Sequence, residues 1–283
     1  MTTPPDAPVL LMPLPRSSTA ELLGRAASWR GFEVSGTPER LGGRDVHWYG
    51  GPLAADRLGA DRPCVDERRG RPGPGPGPGL GLGLGLGLGL GLLEPTDDWL
   101  TSLPYALTHR RIRLTTLADA WSLSSPAFVK PPSDKSVPAA VYPDGSHLPR
   151  TGERIGPATP VLVCEVVEFA AEYRLFVLDG DVVTGSRYAV YGRVDPAPLD
   201  TEARAFARDV LAATRGTLPS GVSVDIGRLS DGRWAVVEAN MPWFAQSYAA
   251  EPDGVLDVVI RAAGPRHRVA KGDVRYLRRP HTP

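Results

Sequence analysis

From Gly70 to Leu93 the chain reads GRPGPGPGPGLGLGLGLGLGLGLL, with glycine at nearly every second position. Period-two leucine mimics a strand that places Leu80, Leu82 and Leu84 on one face. Alternate glycine makes such a strand entropically costly, and the Pro-Gly run before it cannot enter a ladder. The segment is also too short and too rich in glycine for a membrane helix. We therefore expect a low-complexity linker over residues 70–93, with a root-mean-square span of roughly 25–30 Å. A chain so divided must build its packed units on either side.

Residues 1–69 start as a β-α-β layer. PVLLMPLP is a buried-strand pattern, SSTAELLGRAASWRG a helix with Ser17 or Ser18 as cap and Gly31 as stop, and FEVSG and DVHWYGG are two short strands. Beyond the linker, TDDWLTSLPYAL reads as helical. RRIRLTTLADAW runs from strand to helix, and AFVK, PAAVY and PVLVCEVVEF read as strands. Two hairpins follow, turning at Asp179-Gly180-Asp181 and Asp231-Gly232. Between them DTEARAFARDVLAATRG puts Ala203, Phe206, Val210 and Ala213 on one helical face, and DGVLDVVIRAA forms a last helix. The pattern is α+β over residues 94–264, and a basic tail over 265–283 reads as frayed.

Charge and cysteines narrow the class. With 32 basic and 32 acidic residues the formal net charge is zero, so neither nucleic acid nor an anionic membrane is an expected partner. Cys64 and Cys164 make no metal spacing and no disulfide framework, which suits the cytoplasm. Met1 is followed by prolines and a short apolar run, unlike a signal peptide.

The chemistry concentrates on the second hairpin. Glu238 and Asn240 are two residues apart on one strand and project together, and the hairpin can bring Asp225 beside them. Two carboxylates and an amide oxygen are hard ligands suited to Mg²⁺. Two unpaired carboxylates in contact repel by roughly 4 kcal/mol at an effective dielectric near 20, which a cation relieves. The alternative is a solvated polar strand end. Lys130, Lys135, Arg174 and Arg187 are either surface charges or, around an acidic metal site, ligands of a polyphosphate. Glu165, Glu168 and Glu172 either decorate a strand edge or bind a nucleoside, a carboxylate taking ribose hydroxyls.

In order, FVKPPSDKS, VLVCEVVEFAAEYRLFV, SVDIG and VVEANMPW resemble the nucleotide-binding half of an ATP-grasp enzyme, from about Asp97 to Ala263. The match is to a compact clade whose motif carries one Arg and two Lys. The resemblance implies an ATP-grasp fold, two α+β subdomains gripping ATP, preceded by a small pre-ATP-grasp α/β layer. It assigns Lys130 to the α/β-phosphates and Lys135 to the outer phosphates. Glu165 to Glu168 becomes the adenine-binding connection, with the Val167 backbone reading the base, and Glu172 takes the ribose. Arg174 would sit by the triphosphate, Arg187 would face the γ-phosphate or acyl-phosphate, and Asp225, Glu238 and Asn240 would hold magnesium. Two ions, or manganese in their place, are compatible. The loop KPPSDKSVPAAV departs from the family in lacking glycine.

The implied reaction is ligation. ATP activates a small-molecule or peptide carboxylate as an acyl-phosphate, and an amine attacks it. A nucleotide-binding scaffold without ligase chemistry and a phosphotransferase on the same fold are the rival readings.

Overall fold

The computed structural model describes residues 4, 6–38, 41, 43–59, 65–66, 71–72, 88–133, 136–150, 152 and 155–279. The first layer comprises β1 (Val9–Leu11), α1 (Ser18–Trp29), β2 (Glu33–Ser35), β3 (Val46–Trp48) and α2 (Pro52–Leu58). Its sheet is parallel in the order β2-β1-β3. Ser17 caps α1 by accepting from the Ala20 amide, and Gly31 leaves the helix in the left-handed region at φ 81°. Strand β1 is buried on both faces, as a parallel strand is when other elements cover it.

The low-complexity run is not a linker to its end. After β4 (Val65–Asp66) and β5 (Arg71–Pro72), which pair antiparallel, β6 (Leu90–Leu92) is a regular strand. Leu88, Leu90, Leu92 and Leu93 are buried in the core that also takes α1 and β1. Alternate glycine is tolerated here because neighbouring groups come very close. A Cβ on Gly91 would lie 2.3 Å from Val269 Cγ2. The centre of the repeat, 73–87, lies outside the described residues.

Two antiparallel sheets follow. A 3-10 turn at Trp99–Ser102 and α3 (Tyr105–Thr108) stand where one longer helix was expected, because Pro104 intervenes. β7 (Ile112–Thr116), α4 (Leu117–Ala120), β8 (Ala127–Lys130), β9 (Ala140–Tyr142) and β10 (Pro160–Cys164) give a four-stranded sheet in the order β7-β10-β8-β9. β11 (Phe169–Leu178), β12 (Asp181–Val190), β13 (Arg193–Pro198), α5 (Thr201–Ala213), β14 (Gly221–Leu229) and β15 (Trp234–Asn240) build the second unit, with sheet order β13-β12-β11-β14-β15. The expected long strand through PVLVCEVVEF is split: residues 165–168 belong to neither β10 nor β11. Edge strand β13 was not foreseen, since its two prolines argue against a strand except at an edge.

The five-stranded sheet has two distinct faces. Tyr173, Leu175 and Val177 pack under α5 with Ala203, Ala207 and Val210. Phe176, on the other face, joins the core of the first layer, which α6 (Pro252–Ala262) completes with Val255, Leu256, Val258 and Val259. β16 (Ala263–Pro265) pairs with β6. The tail packs onto the body as far as Arg278, contrary to the frayed reading. Arg278 is buried against Asp56 at 2.8 Å and Glu94 at 3.2 Å, and Asp273 accepts from the Ser220 hydroxyl at 2.6 Å. Among the described residues no helix is long and apolar enough to cross a membrane.

Candidate active site

Hairpin register sets the geometry. Asp225 on β14 lies directly across from Glu238 on β15, and Ser223 across from Asn240. Arg174 on β11 lies across from Asp225 on its other side. Directly opposed residues share a face, so Arg174, Asp225 and Glu238 form a row across three strands. A bulge follows at Val237. Arg110, which sequence reasoning passed over, holds that irregularity by donating to the carbonyls of Val236 at 2.8 Å and Val237 at 2.9 Å. Its only sequence signal is a place in HRRIR, where it is one basic residue among several.

Charges in the row are paired. The Arg174 guanidinium makes a two-pronged contact with Asp225, Nε to Oδ1 at 2.8 Å and Nη2 to Oδ2 at 2.6 Å. Lys130, at the end of β8 in the four-stranded sheet, contacts Glu238, so the two sheets meet at this ion pair. Asn240 donates its amide N–H to the other Glu238 oxygen at 2.6 Å. Burial pushes the Asp225 carboxyl up, opposed by the Arg174 guanidinium, while Asp225 raises Arg174 in turn. Burial also works against ionised Glu238, but Lys130, Asn240 and Arg174 together hold it below the usual carboxylate range. Among the described residues no group of three or more His, Cys, Asp and Glu side chains is arranged to hold a metal ion. Two carboxylates and a carboxamide make a partial oxygen set, the kind that holds magnesium only together with substrate oxygens.

A cleft opens beside this row, lined by Lys130, Pro132, Leu162, Glu238, Asn240 and the segment 94–97. Glu172, two residues before Arg174, accepts from the Tyr188 hydroxyl at 2.9 Å, and burial raises its carboxyl. Glu165 accepts from the Arg111 amide at 2.8 Å, and the Glu168 carbonyl accepts from the Ser230 amide at 3.0 Å. Val167 lies between them, in the stretch joining the two sheets. Arg187 is not brought to the row. It lies across from Tyr173, on the α5 side of the sheet, and donates to Asp195 at 3.0 Å. The period-two alternation of β11 sends Tyr173 and Arg174 to opposite faces, and Arg187 follows Tyr173. Trp243, once a candidate pocket wall, is fully buried and donates to the Leu93 carbonyl at 2.9 Å. Lys135 lies outside the described residues.

The model of the ATP-grasp domain, family 2 of the clade named for one arginine and two lysines, matches residues 107–258, more than half of the chain. The chain belongs to the ATP-grasp family. Its ATP-grasp region spans both antiparallel sheets and most of α6. D-cycloserine synthetase DcsG is a structural relative, 14% identical over 89% of this chain and 98% of that one, with a TM-score of 0.51. The ATP-grasp ligase PsnB complexed with minimal precursor is 13% identical over 90% and 99%, with a TM-score of 0.45. D-alanine–D-alanine ligase from Bacillus anthracis is 13% identical over 93% and 98%, also at 0.45. At such identity the likeness to DcsG speaks to the fold alone. No curated protein sequence matches this ATP-grasp chain.

Proposed function

We propose that the protein is an ATP- and magnesium-dependent carboxylate–amine ligase. ATP phosphorylates a carboxylate of a small molecule or peptide, releasing ADP. An amine then attacks the acyl-phosphate, forming an amide and expelling phosphate. The observation that supports this reading is the row Arg174, Asp225 and Glu238, met at the sheet junction by Lys130. It places cationic side chains and oxygen ligands together, as phosphoryl transfer requires.

Lys130 and Arg174 neutralise phosphate oxygens, and Lys135 reaches the outer phosphates. The stretch Glu165, Val167 and Glu168 takes adenine, and Glu172 the ribose. Asp225, Glu238 and Asn240 hold magnesium, one ion or two, with manganese as a substitute. Their donor chemistry fits, because Lys130 and Arg174 already balance the carboxylates that a divalent cation would share. When bound, the metal supplies Lewis-acid neutralisation of the phosphate oxygens. The first layer, residues 1–69, forms the acceptor side of an ATP-grasp unit over 94–264, in the cytoplasm. Arg187 has a part in catalysis only if it leaves Asp195.

The test is incubation of the purified protein with Mg-ATP and a panel of carboxylates and amines, with and without hydroxylamine. Hydroxamate formation with ADP release, lost on chelation of the metal, is the expected result. A stable phospho-product instead identifies a phosphotransferase. ATP binding without turnover identifies a scaffold.

A further inference from the structure

Two tyrosines that the proposed chemistry leaves unused converge on Arg174. Tyr188 is the extra residue of a bulge in β12, between Arg187, opposite Tyr173, and Ala189, opposite Glu172. Tyr248 comes from the loop after β15 and has a left-handed backbone, φ 51°, which a bulky side chain adopts only where its surroundings impose it. Here they do. The amides of Ala249 and Glu251 donate to Ser186 Oγ at 3.1 Å and Thr184 Oγ1 at 2.9 Å, tying this loop to β12. The two rings stack with centroids 5.2 Å apart and 18° between planes. The Arg174 guanidinium lies 5.5 Å from the Tyr188 centroid and 5.7 Å from that of Tyr248. Its polar edge is taken by Asp225. Tyr188 also donates its hydroxyl to Glu172.

We propose that Tyr188 and Tyr248 are positioning residues for phosphoryl transfer, their stacked rings fixing Arg174 while the Tyr188 hydroxyl fixes Glu172. This rests on the ATP-dependent reading above. The cation–ring contacts restrain the guanidinium plane, and Asp225 restrains its edge. Tyr188 reaches both Glu172 and Arg174, so it joins the group assigned to the ribose with the group assigned to the phosphates. A bulky aliphatic residue fills the same volume but offers neither ring face nor hydroxyl. That separates positioning from packing.

The experiment is steady-state ADP release by the full chain with Mg-ATP, alongside thermal melts. Tyr248→Leu lowers kcat about tenfold or more, and Tyr248→Phe, which keeps the ring, restores at least about half of it. Tyr188→Phe, which loses only the hydroxyl, raises KM for ATP about three- to tenfold with kcat within about twofold. Melting temperatures of the phenylalanine variants stay within about 4 °C of the parent. If Tyr248→Leu turns over like the parent, or Tyr188→Phe leaves KM unchanged, the inference is overturned while the ligase reading stands. If the parent releases no ADP with any acid, the ligase reading fails and this inference with it. Should Tyr248→Leu not fold, the KM of Tyr188→Phe decides alone.

Discussion

Glu238 touches two partners that pull in the same direction, the ammonium of Lys130 and the amide of Asn240. Both stabilise its ionised form in a buried setting, so a neutral isostere keeps the shape and removes the charge. Glu238→Gln is expected to lower metal-dependent turnover at least roughly a hundredfold, while far-UV circular dichroism remains that of the parent. Survival of activity in that variant would refute the metal assignment. Shared facing of Glu238 and Asn240 was legible from their spacing alone, since a strand alternates strictly. Partners were less so. Arg174 was expected beside the triphosphate or paired with Glu172, yet it grips Asp225, and only the strand order β11-β14-β15 makes that contact possible. Arg187 was legible as a basic residue in an apolar hairpin, but a bulge decides which face it takes.

Among the elements, β11 and β12 carry most of the site, and their turn chemistry was plain in the sequence. Asp179 and Gly180 have φ of 51° and 89°, the two positive values that a tight two-residue hairpin demands. The middle of the pair is governed by a contact that no pattern announces. A Cβ on Gly185 would stand 2.7 Å from the Arg174 carbonyl oxygen, so β12 would have to move away from β11 beside the reactive row. Gly185→Ala is expected to destabilise the fold by about 1–3 kcal/mol in urea titration and to lower turnover as Arg174 shifts. β6 makes the opposite point. Its Leu-Gly repeat reads as linker, yet Leu92 is completely buried. Leu92→Ala is expected to cost about 2–5 kcal/mol by the same titration. A true linker position would change stability by less than about 0.5 kcal/mol.

At the scale of the molecule, the first layer is welded to the ATP-grasp region through α6, β6 and β16 rather than tethered to it. His47 lies in this seam, with its Nδ1 3.0 Å from the Ile260 carbonyl and its ring edge-on to Phe32. Burial lowers its pKa from 6.5, and Arg268 lowers it too, while the Ile260 carbonyl and Asp45 oppose. The unfolded chain therefore binds a proton at this site more readily than the folded one. Stability is full above 6.5, falls as pH drops through that value, and levels only below the lowered folded pKa. His47→Gln is expected to flatten this slope in urea titrations at a series of pH values; an unchanged slope would assign it to other groups. What the sequence by itself determined is local: the α+β alternation, the two Asp-Gly hairpins, the capped helix α1, and the common face of Glu238 and Asn240. Each rests on backbone periodicity or on the conformational freedom of a single residue, and these act over a few positions. Only the tertiary structure decided that a glycine-rich run ends as a core strand and that the basic tail packs. It also decided that Lys130 bridges two sheets and that Arg174 rests against two tyrosines. Those outcomes depend on which distant surfaces come together, and burial and pairing between residues far apart in the chain have no signature in local pattern.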